Sequence, residues 1–324
     1  MTIGKSLNKE FFIFAFLIIV SIALLLGGGY PSAVLDGISL WFATIIPSMF
    51  PYFFVCAMLS GLSLTSKISC KLSPLTTRLF RTSGVTGYAF LMSILSGYPM
   101  GAKVVSDLRK ANLISQAESV RASVFCSCSS PMFMIASIGG AMMNSPLFGL
   151  CLAITHILSL FIVGIIFSFY KKNEKPTAPS SISNPKTDSL FYESVFSSVN
   201  STLLVGGIIT LFYVFIEILL NNNLLDLPIT VFSSIFGNHD LGKGLVLGFF
   251  ESTRGLKALS NGGITLLTLP VCGVICGFGG LSVITQSVTF LKNAKIKTAP
   301  FYLGKIIHAV LSFILGLIVS LLVF

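Results

Sequence analysis

An all-α, polytopic membrane protein is the fold class this sequence predicts, and three observations carry it. The 324-residue chain is 54% hydrophobic and only 10% charged, whereas a soluble domain carries about 25% charged residues. Several apolar runs reach about 20 residues, the length that crosses a bilayer as a helix. The 21 Lys and Arg fall in short clusters between those runs, as expected of cytoplasmic loops. A soluble enzyme with a large core is excluded, because too little polar material remains to coat it. The net charge of +10 does not indicate nucleic acid, since it is not gathered on a folded basic face.

The elements follow in order. Met1 to Glu10 is short and polar, and Phe11 to Gly29 is an apolar run of spanning length. No small-x-small cleavage site follows it, so it reads as a retained N-terminal transmembrane helix (1–30) rather than a signal peptide. Leu35 to Leu62 is the next run, bent by Pro47 and Pro51. Leu64 to Arg81 is basic, with Lys67, Lys71, Arg78 and Arg81 and no acid. It reads as interfacial.

Gly84 to Ala102 is apolar but broken at Ser96-Gly97-Tyr98-Pro99-Met100-Gly101. Lys103 to Arg121 is soluble-looking, and Leu108, Leu113 and Ala117 suggest one face of an interfacial helix with Arg109, Lys110 and Glu118 among headgroups. Ala122 to Met143 is apolar again, with a second break at Phe125-Cys126-Ser127-Cys128-Ser129-Ser130-Pro131, and Pro146 to Tyr170 is an uninterrupted span. Lys171 to Asp188, with four lysines and three prolines, is a flexible linker. Beyond it, Leu190 to Leu220 is apolar, and Leu245 to Leu259 is interrupted by Glu251-Ser252-Thr253-Arg254-Gly255. Ile264 to Leu291 is broken at Cys276-Gly277-Phe278-Gly279-Gly280-Leu281-Ser282, and Pro300 to Phe324 is the last span.

The two halves align at an offset of 152 residues, which superposes Ser130 on Ser282, His156 on His308 and Gly164 on Gly316. The predicted organisation is therefore a repeat over 31–170, a cytoplasmic linker over 171–189 and a second repeat over 190–324. With the N-terminus cytoplasmic, the charge pattern makes 84–102 and 245–259 re-entrant hairpins entering from opposite sides. All Lys and Arg then lie inside except Lys243, Arg254 and Lys257, and the C-terminus lies outside. The expectation is two inverted-topology repeats with about seven spanning helices, the arrangement in which broken helices meet near the midplane.

The four breaks supply the candidate site. Ser96, Gly97, Tyr98 and Gly101 allow close backbone approach, while Lys103 either neutralises an anion or snorkels to the interface. Ser127, Ser129 and Ser130 either point a half-helix N-terminus at a substrate or pack helices. Glu251 and Arg254 are intramembrane charges three apart, read either as functional groups or as a structural ion pair, with Ser252 and Thr253 beside them. Phe278, Gly279, Gly280 and Ser282 form the last break, with Gln286 two turns on. No GK[ST] accompanies the glycines, so they do not read as a nucleotide loop. His156 and His308 read as hydrogen-bonded packing residues, with a proton relay the alternative.

The seven cysteines fall mostly in apolar segments and lack zinc-site spacing, so neither metal nor disulfides are indicated. No catalytic constellation appears, and no enzyme activity or cofactor is expected.

These motifs, from Ser96-Gly97-Tyr98-Pro99-Met100-Gly101-Ala102-Lys103 to Phe278-Gly279-Gly280-Leu281-Ser282-Val283 with Gln286, resemble the YlbJ-type sporulation integral membrane proteins of the nucleoside-recognition Gate domain superfamily. The resemblance runs from about residue 30 to 324. The central motif departs: relatives usually carry asparagines and a glycine before the proline where Cys126, Ser127, Cys128 and Ser129 stand. The resemblance implies a concentrative-nucleoside-transporter-like fold in the mother-cell or outer forespore membrane. It also implies transport of dipicolinate, an aromatic dicarboxylate, with Lys103 and Arg254 suited to the carboxylates and Tyr98 or Phe278 to the ring. A nucleoside transporter of the same fold and a non-transporting scaffold or receptor in spore-envelope assembly are the alternatives. The expected partners are the lipid bilayer and a small-molecule substrate. A coupling cation and a homo-oligomer are left open.

Overall fold

The computed structural model describes Ile18, Ser21 and residues 30–60, 64–174, 177 and 187–324. The expected first span, Phe11 to Gly29, and most of the linker lie outside the described residues. Among the described residues every regular element is helical. Four helices there are long and apolar enough to cross a bilayer: Pro146–Phe167, Ser189–Asn221, the broken pair Thr268–Asn293, and Ala299–Val323. Shorter apolar helices at Met49–Leu59, Gly84–Ser96, Phe133–Met142 and Asp226–Phe236 complete the set.

The chain after residue 30 is one bent helix: α1 (Tyr30–Leu40), a π-helical segment (Trp41–Ile45) and α2 (Ile46–Ser60), with Pro51 inside α2. It packs along α8 (Thr187–Asn221). Lipid offers no hydrophobic drive for helix pairing, so close packing and hydrogen bonds must supply it. Trp41 Nε1 donates to the Thr202 carbonyl at 3.1 Å. A Cβ on Gly206 would lie 2.4 Å from the Trp41 indole, and one on Gly37 would lie 2.9 Å from Thr210 Cα. Small residues set this interface.

Two groups of three helices carry the first and third breaks. In one, α3 (Leu64–Leu75) and a π-helical segment (Thr76–Phe80) lead into α4 (Gly84–Ser96) and α5 (Met100–Lys110); in the other stand α9 (Asp226–Phe236), α10 (His239–Phe250) and α11 (Ser252–Ser260). In each group the middle helix packs on both neighbours. The α10–α11 pair is antiparallel with its backbones touching: a Cβ on Gly255 would sit 2.3 Å from Gly248 Cα, and one on Gly244 would sit 2.4 Å from Leu259 Cβ. Ser93 and Gly101 bring α4 and α5 together in the same sense.

The remaining helices are α6 (Gln116–Phe125), the π-helical segment Phe133–Met142, α7 (Pro146–Phe167), α12 (Thr268–Phe278), α13 (Gly280–Asn293) and α14 (Ala299–Val323). Phe80 stacks on Phe125 at 4.3 Å between ring centres, with Phe90 edge-on to both and Phe161 tilted against Phe80. A Cβ on Gly164 would reach 2.6 Å from the Phe80 ring. This aromatic cluster anchors the C-terminal end of α6.

One sequence expectation is corrected here. Leu108, Leu113 and Ala117 do not share a single interfacial helix, because α5 ends at Lys110 and α6 starts after Ser115. Asn112 adopts φ 55° in the connection. Ser115 and Glu118 form a capping box that starts the new helix. Glu118 is therefore buried, not placed among headgroups. Its carboxylate accepts from the backbone N–H groups of Ser83 (2.8 Å), Ser115 (3.0 Å) and Thr177 (3.0 Å), and from the Thr177 hydroxyl. Burial opposes its ionisation, but those donors win and hold the carboxyl below its usual range.

A depressed carboxyl contributes stability above the ordinary carboxylate range and loses it as the pH falls through the folded-state value. Glu118→Gln removes the charge and strands buried donors, so thermal unfolding in detergent should show a loss of about 2 kcal/mol near neutral pH. That loss should shrink on acidification below the carboxylate range. A pH-independent difference would contradict this role.

Candidate functional site

A helix that stops inside a membrane frees backbone groups that lipid cannot satisfy. The four breaks meet that requirement by facing one another. Gly97 takes φ 75° and Gly279 takes φ 85°, conformations that side-chain-bearing residues rarely adopt. At the first break the Tyr98 hydroxyl donates to the Cys276 carbonyl at 3.0 Å, tying α4–α5 to the end of α12. At the second, the Ser129 N–H donates to His156 Nε2 at 3.0 Å. The Ser130 hydroxyl accepts from the Phe133 N–H at 3.2 Å and starts the helix beyond Pro131. At the third, Glu251 caps α11 by accepting from the Arg254 N–H at 2.7 Å.

Between these breaks lies a cavity of about 470 Å³. Ser96, Gly97 and Tyr98 line it from the first break, and Ser129 and Ser130 from the second. Glu251, Ser252 and Thr253 line it from the third, and Gln286 from α13. The structure thus brings together residues nearly 200 positions apart in sequence that were selected for their broken-helix context. Apolar walls come from Tyr52, Met49, Met132 and Phe133, and from Val205 and Ile209 of α8.

Other selected residues lie outside the cavity lining. Lys103 bonds Asp107 one turn on, at 3.1 Å. Gly101 sits where α5 crosses the second break, and a Cβ there would fall within 1.7 Å of the Cys126 carbonyl oxygen. Ser127 is buried and turns its carbonyl toward Lys305. Phe278 stacks on Phe249 at 5.3 Å. Gly279 and Gly280 form the fourth break, and Ser282 is buried and accepts from the Gln286 amide at 3.3 Å.

The Glu251–Arg254 ion pair is not made. Glu251 is the N-cap, just outside the helix, so its side chain turns back onto the backbone N–H of Arg254. The Arg254 guanidinium instead reaches α8, pairing with Glu217 at 2.7 Å and donating to the Tyr213 carbonyl at 3.2 Å. Its charge also lies 5.2 Å from the centre of the Tyr213 ring. The packing role expected of the histidines holds. Both are buried, their rings lie 4.5 Å apart, and His308 Nε2 is 3.0 Å from the His156 carbonyl.

Two charged residues escaped the sequence reading. Glu217 lies in the α8 span, and Lys305 in α14 is 2% exposed. Lys305 Nζ donates to the Tyr98 hydroxyl at 2.6 Å and approaches the Ser127 carbonyl at 3.4 Å. Each was legible as an ionisable side chain within an apolar run, the signal that drew attention to Glu251.

The Gly101 contact is testable without a ligand. Gly101→Ala drives a methyl into a carbonyl that has no room to move, so unfolding should show a loss of about 3 kcal/mol. Ala102→Gly, one residue away, should cost about 1 kcal/mol. Equal effects would remove the close approach from the account.

No family model matches the chain, and no solved structure matches it. It is similar to the sporulation integral membrane protein YlbJ of Bacillus subtilis (strain 168), 29% identical over 300 residues that cover 85% of this chain and 73% of the relative. This similarity is in keeping with the resemblance that the broken-helix motifs carry in the sequence.

Proposed function

We propose that the protein is a membrane transporter or facilitator for a small anionic, aromatic metabolite, with dipicolinate the first candidate. The observation that carries this reading is the cavity, lined by hydroxyls, a carboxylate and an amide where helices break inside an apolar bundle. Ser130 and Glu251 also cap helix starts, but polar residues gathered within a membrane are by default candidates for function. The cavity also lies against the starts of helices, where the macrodipole favours negative charge. The starts of α5 and α13 carry no side-chain cap.

The spacing of elements supports an inverted-repeat reading of the same site. Met100 and Ser252 begin α5 and α11, and Gln116 and Thr268 begin α6 and α12, each pair 152 residues apart. His156 and His308, at the same offset, pack with their rings 4.5 Å apart. Repeats over 31–170 and 190–324, entering from opposite sides, bring the two hairpin turns to a common depth. The Bacillus relative is named a sporulation integral membrane protein, which supports a sporulation-linked membrane setting for this chain.

A nucleoside is the second reading, and one observation favours it: no Lys or Arg lines the cavity among the described residues. Glu251, Gln286 and the serines suit a neutral, hydroxylated ligand.

Uptake of labelled dipicolinate into proteoliposomes tests the transporter reading, and absence of flux for dipicolinate and nucleosides alike would favour a scaffold. A thermal-shift panel separates the two ligand classes. Gln286→Ala and Ser130→Ala should each weaken the preferred ligand about tenfold, the value of a hydrogen bond to a charged group. Lys103→Ala should leave the ligand shift unchanged. Arg254→Ala should lower stability by stranding Glu217, also without changing the ligand shift.

A further inference from the structure

Among the described residues, Lys305 has no carboxylate partner. The ion pairs among the described residues are Lys103–Asp107, Lys171–Glu174 and Arg254–Glu217, and none involves it. The titratable groups that face it are Tyr98 from the α4–α5 turn, Cys128 from the second break, Cys276 from α12, and His156 and His308 from α7 and α14. No carboxylate is among them. A lysine removed from water keeps its charge only where other groups stabilise the ammonium.

What surrounds the ammonium is a coordination shell of dipoles. The Tyr98 oxygen lies 2.6 Å away and the Ser127 carbonyl 3.4 Å away, and the centre of the Tyr98 ring is at 4.1 Å. Two helices also end there. Ser127 lies two residues past the end of α6, and a Cβ on Gly279, the C-cap of α12, would be 3.7 Å from Nζ. The C-terminal end of a helix carries its negative partial charge. The Cys276 carbonyl, one of the last in α12, polarises the Tyr98 hydroxyl that faces Lys305. Carbonyls of unwound backbone and the C-terminal ends of half-helices are the groups that hold coupling cations in transporters with broken helices.

We propose that the Lys305 ammonium is a tethered cation, occupying the place between two helix ends that a free monovalent metal ion would take, so that the protein binds no sodium there. The inference draws its meaning from the transporter reading, but its test needs no substrate. The thermal midpoint of the detergent-purified full chain is measured in sodium, potassium, methylammonium and choline chlorides at equal ionic strength. The wild type should give one midpoint in all four. Lys305→Ala opens the space and should unfold at lower temperature, with methylammonium or sodium restoring about 5 °C relative to choline. Lys305→Met fills the space without charge and should be less stable than wild type and respond to none of the salts.

A sodium-specific rise in the wild type overturns the proposal, and that arm stands even where the alanine variant fails to fold. A response of Lys305→Met equal to that of Lys305→Ala overturns it as well. Absence of dipicolinate transport, by contrast, would bear on the substrate and leave these midpoints unchanged.

Discussion

A polypeptide that breaks a helix within a membrane must find hydrogen-bond partners for the amides and carbonyls it frees, because lipid offers none. In this protein those partners come from across the bundle. Ser129 N–H finds His156, the Cys276 carbonyl finds Tyr98, and the Ser127 carbonyl finds Lys305. The Cys128 thiol donates to the Ser93 carbonyl at 3.2 Å, joining the second break to α4. The second and fourth breaks are thus satisfied by residues from other elements, whereas Glu251 caps the third locally. The cavity is what remains between them.

Charge follows the same logic. Glu251, Arg254, Glu217 and Lys305 all lie in or beside apolar segments, yet only one ion pair forms among them. Glu251 is stabilised by the backbone at a helix start and Lys305 by a phenol, a carbonyl and two helix ends. The backbone's own dipoles therefore do much of what counter-ions do in soluble proteins. Two helix ends thus lie beside Lys305, where the negative end of the helix dipole favours a cation.

Close packing makes the arrangement possible. Gly101 against the Cys126 carbonyl, Gly255 against Gly248, and Gly164 against Phe80 are contacts at which any larger residue collides. In lipid, where apolar surface alone does not drive helices together, these approaches supply the dispersion and the short hydrogen bonds that hold the bundle.

Much of this was legible in the chain. Apolar run lengths determined the all-α membrane class, and glycine, proline and serine inside those runs located every break that bounds the cavity. The capping box at Ser115 was equally local, although the apolar spacing of Leu108, Leu113 and Ala117 concealed it. Tertiary structure alone decided the partners. Glu251 and Arg254 are one helical turn apart in sequence, but the first belongs to a helix cap and the second reaches across to α8. Lys305 lies 207 positions from Tyr98 and becomes its neighbour only when α14 docks. The physical reason is one of range. Backbone conformation and burial tendency are set by a residue and its near neighbours, so the breaks could be read in order. Which buried charge meets which dipole depends on how helices distant in sequence pack, and no spacing along the chain encodes that.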